Sequence, residues 1–276
     1  GWIPRERNTY ADRLANEAMD AAATGREWTP RTPGGDDSAG GVDPAAADAR
    51  GGVDPTAADA PAGSGWRASA EPPTTLLLVR HGETPLSGVR YSGRGNPELT
   101  ARGQAQARAV ASRLSRMDGV AGVVSSPLHR ARATAEAIGA TIGADVTVDA
   151  DLVETDFGRW DGLTFTEVRD RWPAEHAAWM TDTALAPPGG ESVAAVARRV
   201  RRARDRLLAA YPGRILVVVS HVTPIKLLLC SALGAPASAL FRLHLDPAGL
   251  STVDWYPDGP AVVRLVNDTG HLSGRD

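Results

Sequence analysis

The chain is short of the residues that staple a fold or anchor it. Its 276 residues hold one cysteine, Cys230, so no internal disulfide can form, as expected of a cytoplasmic protein. Cys230 lies in an apolar stretch and reads as a small buried hydrophobe. No apolar run approaches the ~20 residues that a membrane-spanning helix needs, and no signal peptide is visible, so no membrane partner is expected. Lysine is almost missing: Lys226 stands alone among 30 basic residues, which fits a GC-rich genome. A net charge of −3 gives no global pull toward nucleic acid. From residue 74 onward, no His, Cys and Asp side chains fall at metal-ligand spacing.

What is present is a set of strand ends carrying cations and imidazoles. Residues 76–84 read Leu-Leu-Leu-Val-Arg-His-Gly-Glu-Thr. A short, continuous apolar run of this kind reads as a strand buried on both faces of a parallel sheet. Such sheets place their chemistry just beyond the strands' carboxyl ends. Arg80 and His81 stand there, and Gly82 lets the backbone turn. Residues 214–224, Arg-Ile-Leu-Val-Val-Val-Ser-His-Val-Thr-Pro, repeat the pattern and end on His221. Pro224 sits where a helix can begin. A third strand end, residues 123–134, runs Val-Val-Ser-Ser-Pro-Leu-His-Arg-Ala-Arg-Ala-Thr. Arg130 and Arg132 fall in the first turn of the helix that follows, against the macrodipole, which suggests an anion between them. The other histidines, His129, His176, His244 and His271, are scattered and read as surface or packing residues.

These blocks, in this order, resemble the signature of the histidine phosphatase superfamily, the phosphoglycerate-mutase-like group. The resemblance runs through Leu78–Thr84, Ser125–Thr134, Leu152–Gly162, Pro188–Ser192 and Ser220–His221. It implies that His81 is a nucleophile forming a phosphohistidine, which splits one hard displacement into two easier ones. Arg80, Arg130 and His221, with Gly82, would hold the phosphate oxygens and neutralise their charge. Glu154 would be the general acid, protonated when substrate binds. The reaction that the resemblance implies needs no metal or other cofactor. The family includes catalytically silent members, which lack one of these five side chains; all five are present here. A silent phosphate-binding module partnering a nuclease is therefore the weaker alternative to an enzyme.

The resemblance also separates reaction types. Familiar mutases carry a longer insertion between the acid and the second histidine, and a closing tail. Here residues 163–190 form a short cap, and the segment after Val266 is brief and polar, so hydrolysis of a small-molecule phosphomonoester is expected. Tyr91–Thr100 and Glu154–Thr164 resemble the alpha-ribazole phosphatase and acid phosphatase branch, which acts in cobalamin assembly. The same patterns occur in sugar-phosphate and phosphoglycerate-type enzymes. Arg94 and the cap residue Trp172 are candidates for substrate contact, with Trp172 and Trp179 able to stack on a heterocycle or sugar.

The periodicity predicts strands over 75–80, 120–125, 145–149, 214–220, 250–256 and 261–267. Helices are predicted over 100–117, 128–142, 164–180, 190–211 and 224–233. The alternation argues a three-layer α/β/α domain over residues 74–268 with a mainly parallel, mixed sheet. Its last two strands form a hairpin through Pro257–Pro260, and residues 269–276 follow as a polar tail.

Residues 24–73 differ in kind, being rich in Gly, Ala, Pro, Asp and Ser, with Gly41–Ala49 nearly recurring as Gly52–Ala60. They read as a disordered linker. Residues 1–23, which do not begin with methionine, predict an amphipathic helix over Asn8–Ala22 and resemble the carboxyl end of a ribonuclease H domain. Asp12 matches the last of that domain's metal-holding carboxylates, but its partners are absent, so no nuclease activity is expected of this chain. The combination resembles actinobacterial bifunctional proteins, in which RNA–DNA hybrid binding would come from the missing portion.

Overall fold

The computed structural model describes residues 71–273. The stub at 1–23 with Asp12 and its Asn8–Ala22 helix, and the linker at 24–73 except its last three residues, lie outside the described residues.

Six strands build one sheet among the described residues: β1 (Thr74–Arg80), β2 (Val120–Ser125), β3 (Val146–Val148), β4 (Ile215–Ser220), β5 (Leu250–Trp255) and β6 (Ala261–Asp268). Their spatial order is β3-β2-β4-β1-β5-β6. The pairs β1/β4, β2/β4 and β2/β3 are parallel. The β5–β6 hairpin adds antiparallel strands at one side, as the sequence pattern predicts.

Helices cover both faces. Because side chains alternate across a strand, Leu77, Val79, Val217 and Val219 pack on one face, against α1 (Ala101–Leu114) and α2 (His129–Ile142). Leu76, Leu78, Leu216 and Val218 pack on the other, against α5 (Val193–Ala210) and α6 (Val222–Ala232). The two central strands are apolar without a break over Leu76–Val79 and Ile215–Val219 because both faces are buried. The result is the three-layer α/β/α domain predicted from the alternation of elements.

Four boundaries differ from expectation, each for a local reason. The predicted helix over 164–180 is two helices, α3 (Phe165–Arg171) and α4 (Pro173–Thr181). Proline disfavours a helical residue before it, and Trp172 is accordingly at φ −135° and ψ 58°. Helix α6 starts at Val222, two residues ahead of Pro224, because the first turn of a helix has no use for the amide that proline lacks. Helix α5 starts at Val193, where the Ser192 hydroxyl accepts from Ala195 N. Helix α1 stops at Leu114 with Ser115 as its cap. In the predicted polar tail, Gly270–Leu272 form a short helical turn, and His271 Nε2 lies 3.0 Å from Ala248 O.

One close approach sets the entrance to α1. The Thr100 hydroxyl accepts from Gly103 N, and the turn after β1 passes directly over that first turn. A Cβ on Gly82 would overlap Gly103 O, and one on Gly103 would overlap Glu83 O. Both positions therefore need glycine. Gly103→Ala is expected to lower stability by about 1–3 kcal/mol, measured by urea denaturation, and to reduce activity with it, because the displaced turn carries His81.

Candidate active site

Strand register builds the site. The last β1/β4 pair is Arg80↔Ser220, so His81 and His221 leave adjacent strands at the same level. The last β2/β4 pair is Ser125↔Val219, which brings Ser126 and the start of α2 alongside. The His81 and His221 rings stand 5.0 Å apart between centroids.

His81 is held as a neutral ring. Its Nδ1 lies 2.7 Å from Gly82 O, and a carbonyl can only accept, so Nδ1 carries the proton and Nε2 keeps its lone pair. Arg130 Nε donates to that Nε2 at 3.2 Å. Burial, then the charges of Arg80 and Arg130, push the His81 pKa well below its ordinary value, against the opposing pull of Gly82 O.

His221 is fully buried, with Nε2 2.6 Å from the Ser126 hydroxyl and Nδ1 without a hydrogen-bond partner. Burial, then His81, Arg130 and Arg80, depress its pKa well below normal as well. Arg80 donates through Nη1 to Leu245 O, while its Nε is buried without a partner. Burial lowers the Arg80 pKa to about 10, which leaves it a cation at neutral pH.

Arg130 occupies the first turn of α2, fully buried. It also donates to Gly95 O at 2.7 Å, Gly93 O at 2.9 Å and Ser92 O at 3.2 Å. Glu154 is buried too; its Oε1 accepts from Thr155 N at 2.7 Å and its Oε2 from Thr223 N at 3.3 Å. His81, Arg80, Arg130, Glu154 and His221 are thus brought together at one edge of the sheet.

Other expectations need correction. Gly82 does not offer its amide to the site: that N–H donates to Thr134 Oγ1 at 3.1 Å, so Gly82 serves as the turn that orients His81. Arg132 does not share an anion with Arg130; it is exposed and pairs with Glu136 at 3.0 Å, one helical turn on. Arg94 faces Glu191 at 3.6 Å and does not line the cavity beside His81. Trp172 does not line it either: it packs partly buried against the core with Arg159 over its ring. The cap tryptophan that does line the cavity is Trp179, because the break at Pro173 resets the helical phase. His244 is exposed, as expected of a surface residue, and pairs with Asp246 at 3.1 Å where it borders the cavity.

That cavity measures about 390 Å³ and is lined by Arg80, His81 and Glu154 together with Phe157, Phe165, Trp179 and Phe241. Lys226 also lines it; burial lowers its pKa while the Glu154 charge raises it. Among the described residues, no three His, Cys, Asp or Glu side chains cluster as metal ligands, and no helix is long and apolar enough to cross a membrane.

One structural residue escaped sequence reasoning. Arg199 on α5 is buried and grips the Glu191 carboxylate with two nitrogens, each at 2.9 Å. It also donates to the carbonyls of Asp151, Val153 and Glu154 at 2.7, 2.6 and 3.1 Å. It thereby pins the segment that carries Glu154. Its partners are mostly carbonyls, which leave no mark in a sequence, and it is one arginine among several on α5.

Residues 76–268 match the family model of the histidine phosphatase superfamily (branch 1). The chain belongs to that superfamily. The family match and its phosphatase-named relatives, the phosphoserine phosphatase 1 of Hydrogenobacter thermophilus among them at 32% identity over 71% of this chain and 93% of its own, make it a histidine phosphatase, an enzyme of the phosphoric monoester hydrolase class. It is 52% identical over 272 residues to the "Bifunctional protein Rv2228c" of Mycobacterium tuberculosis, covering 98% of this chain and 69% of that protein. Among solved structures, the mycobacterial glucosyl-3-phosphoglycerate phosphatase Rv2419c superposes with a TM-score of 0.66 at 31% identity, over 71% of this chain and 99% of its own. The alpha-ribazole phosphatase of Shigella flexneri superposes with a TM-score of 0.64 at 29% identity, over 71% of this chain and 96% of its own.

Two expectations follow for this histidine phosphatase. A histidine kept neutral by the fold stabilises it above the unfolded-state pKa of about 6.5. That contribution is lost as pH falls from there toward the lower folded-state pKa, because the unfolded chain binds the proton first. The thermal midpoint of the wild type should therefore fall more steeply below pH 6.5 than that of His221→Asn, as calorimetry at stepped pH would record. Arg199→Met leaves a partly buried carboxylate and three carbonyls without their donor. It should cost about 3 kcal/mol in denaturant unfolding and lower kcat through a loosened Glu154.

Proposed function

We propose that this histidine phosphatase hydrolyses small phosphomonoesters through a phosphohistidine on His81 Nε2. One observation carries the reading: the His81 lone pair, fixed by the Nδ1 bond to Gly82 O, sits among Arg80, Arg130 and His221. Two buried nitrogens in the same place, Arg80 Nε and His221 Nδ1, have no partner. Buried polar groups of this kind are normally satisfied, and an anion at the site would satisfy them.

The chemistry runs in two displacements. Nε2 attacks phosphorus while the bond to the leaving oxygen breaks, and Glu154 gives that oxygen its proton. Water then attacks the phosphohistidine, the N–P bond breaks, and the water's proton passes to the Glu154 carboxylate as inorganic phosphate leaves. Arg80 and Arg130 neutralise charge on the non-bridging oxygens in a site from which bulk water is largely excluded, where such preorganised charges are worth most. The cap over residues 163–190 consists of two short helices, which favours release to water over transfer to a second hydroxyl.

The aromatic lining of Phe157, Phe165, Trp179 and Phe241 supports a leaving group with a flat apolar body. Alpha-ribazole 5′-phosphate is one such ester, and the Shigella flexneri phosphatase supports it by likeness. A phosphoglycerate-type ester is the second reading, favoured by the mycobacterial phosphatase and by the lysine in the cavity. The ribonuclease H reading of residues 1–23 stands as a proposal about the parent protein, supported by the word "bifunctional" in the name of the mycobacterial relative. No nuclease activity is proposed for this chain.

Hydrolysis of p-nitrophenyl phosphate in excess chelator should be robust, should vanish in His81→Ala, and should fall about 10²–10³-fold in Arg130→Ala. Rapid neutral quenching with labelled substrate should trap phosphate on His81 Nε2; label on any other residue would overturn the assignment. A panel of alpha-ribazole 5′-phosphate, 3-phosphoglycerate and sugar phosphates then ranks the leaving groups by kcat/KM.

A further inference from the structure

One buried hydroxyl touches the second histidine and has no part in the displacements described above. Ser126 follows the carboxyl end of β2, and its amide donates to Val219 O at 2.9 Å, two residues ahead of His221. On the other side of β4, the His81 amide donates to Ser220 O at 3.0 Å. His221 therefore follows a strand whose last residues are tied by backbone to Ser126 on one side and to His81 on the other. The Ser126 side chain is fully buried.

The direction of the 2.6 Å contact between Ser126 Oγ and His221 Nε2 follows from the hydrogens available. A serine hydroxyl has one hydrogen and two lone pairs. One lone pair accepts from Leu128 N at 3.4 Å, since an amide N–H can only donate. Among the described residues, His221 Nε2 is the acceptor left for the O–H. If Nε2 carried the proton instead, Oγ would accept twice and its own hydrogen would be buried without a partner. That costs about 1–3 kcal/mol. The O–H therefore donates and Nε2 keeps its lone pair. In a ring that burial keeps neutral, the proton then sits on the other nitrogen, Nδ1, which has no partner in the protein.

We propose that Ser126 is a positioning residue that fixes the His221 tautomer, so that Nδ1 presents an N–H to a phosphoryl oxygen. The tautomer follows from the hydrogen bonds alone; its use in catalysis rests on the phosphatase reading above. Two rings 5.0 Å apart are thereby given opposite functions. At His81 the Gly82 carbonyl occupies Nδ1–H and bares Nε2 for attack. At His221 the Ser126 hydroxyl occupies the bare Nε2 and leaves an N–H for the anion. The opposite tautomer would set a lone pair against the phosphoryl oxygens and repel them. Because the same hydroxyl meets the amide of Leu128, the cap of α2, it also ties this donor to the start of the helix that carries Arg130.

Nitrogen-15 NMR of the wild type at neutral pH reads the tautomer without any turnover, because protonated and bare ring nitrogens differ widely in shift. The His221 signals are those missing from His221→Asn. Nδ1 should be the protonated nitrogen, and a proton on Nε2 overturns the proposal. Ser126→Ala should let both tautomers populate and lower kcat for p-nitrophenyl phosphate about 10–100-fold, as the loss of a group that orients a functional histidine does. Ser126→Thr keeps the O–H and should retain most of both. A kcat that falls while Nδ1 stays fully protonated assigns Ser126 a structural role only and overturns the positioning role; so does a shifted tautomer with unchanged kcat. If the wild type does not hydrolyse the ester, the phosphatase reading fails, and the NMR shifts still decide the tautomer. Thermal melting separates a lost tautomer from a lost fold, and Ser126→Cys, with its weak thiol donor, replaces Ser126→Ala should that variant not fold.

Discussion

The in-register parallel pairing of β1, β4 and β2 is the constraint on which the rest of the structure depends. Leu77↔Val217 and Arg80↔Ser220 align the first pair, and Ser125↔Val219 aligns the third strand with them. Moving one strand by a single residue would send every side chain to the opposite face. Here that is doubly penalised, because both faces are packed: Leu76 and Leu78 on one, Leu77 and Val79 on the other. The hydrophobic core thus enforces the register, and the register delivers His81, His221 and Ser126 to one edge at one height. Precision at the site is a by-product of burial on both sides of the sheet.

The same burial divides labour between side-chain types. Imidazoles removed from water beside guanidiniums lose their proton, and both histidine pKa values lie well below normal. Guanidiniums in the same place keep theirs, since Arg80 falls only to about 10. A desolvated pocket built from these residues therefore contains fixed cations and a neutral nitrogen nucleophile at once. Replacing the arginines by lysines would weaken that arrangement, because an ammonium gives up its proton more readily on burial. Lys226, half-buried at the cavity wall, is the contrasting case.

How much of this could be read in the sequence depended on whether a feature leaves a side-chain signature. Strand ends do: Leu76–Val79 and Ile215–Val219 are apolar runs that stop at a polar residue, and the chemistry follows directly. The two-helix cap was harder, because Phe165–Met180 has helical composition throughout and only Pro173 marks the break. That break decided which tryptophan reaches the cavity. Contacts made by backbone atoms were not legible at all. The amide of Gly82 is consumed by Thr134, and Arg199 acts through three carbonyls, so the sequence suggested a phosphate role for the first and none for the second.

Those backbone contacts also join the reaction end of the cavity to its aromatic wall. Arg130 donates to the carbonyls of Ser92, Gly93 and Gly95, while the Asp161 carboxylate accepts from the amides of Gly93 and Gly95 at 2.8 and 2.9 Å. The loop is clamped from both sides, and Gly93 is required because a Cβ there would lie within 3.0 Å or less of the Thr155 carbonyl and the Phe157 ring. The loop begins at Tyr91, whose ring meets Phe157 and Phe165 edge-on at 5.0 Å and whose amide and carbonyl bond Leu163 and Gly162. The guanidinium that reaches His81 Nε2 at 3.2 Å therefore also holds the segment that positions the cavity wall, so one side chain sets the geometry of both ends of the cavity.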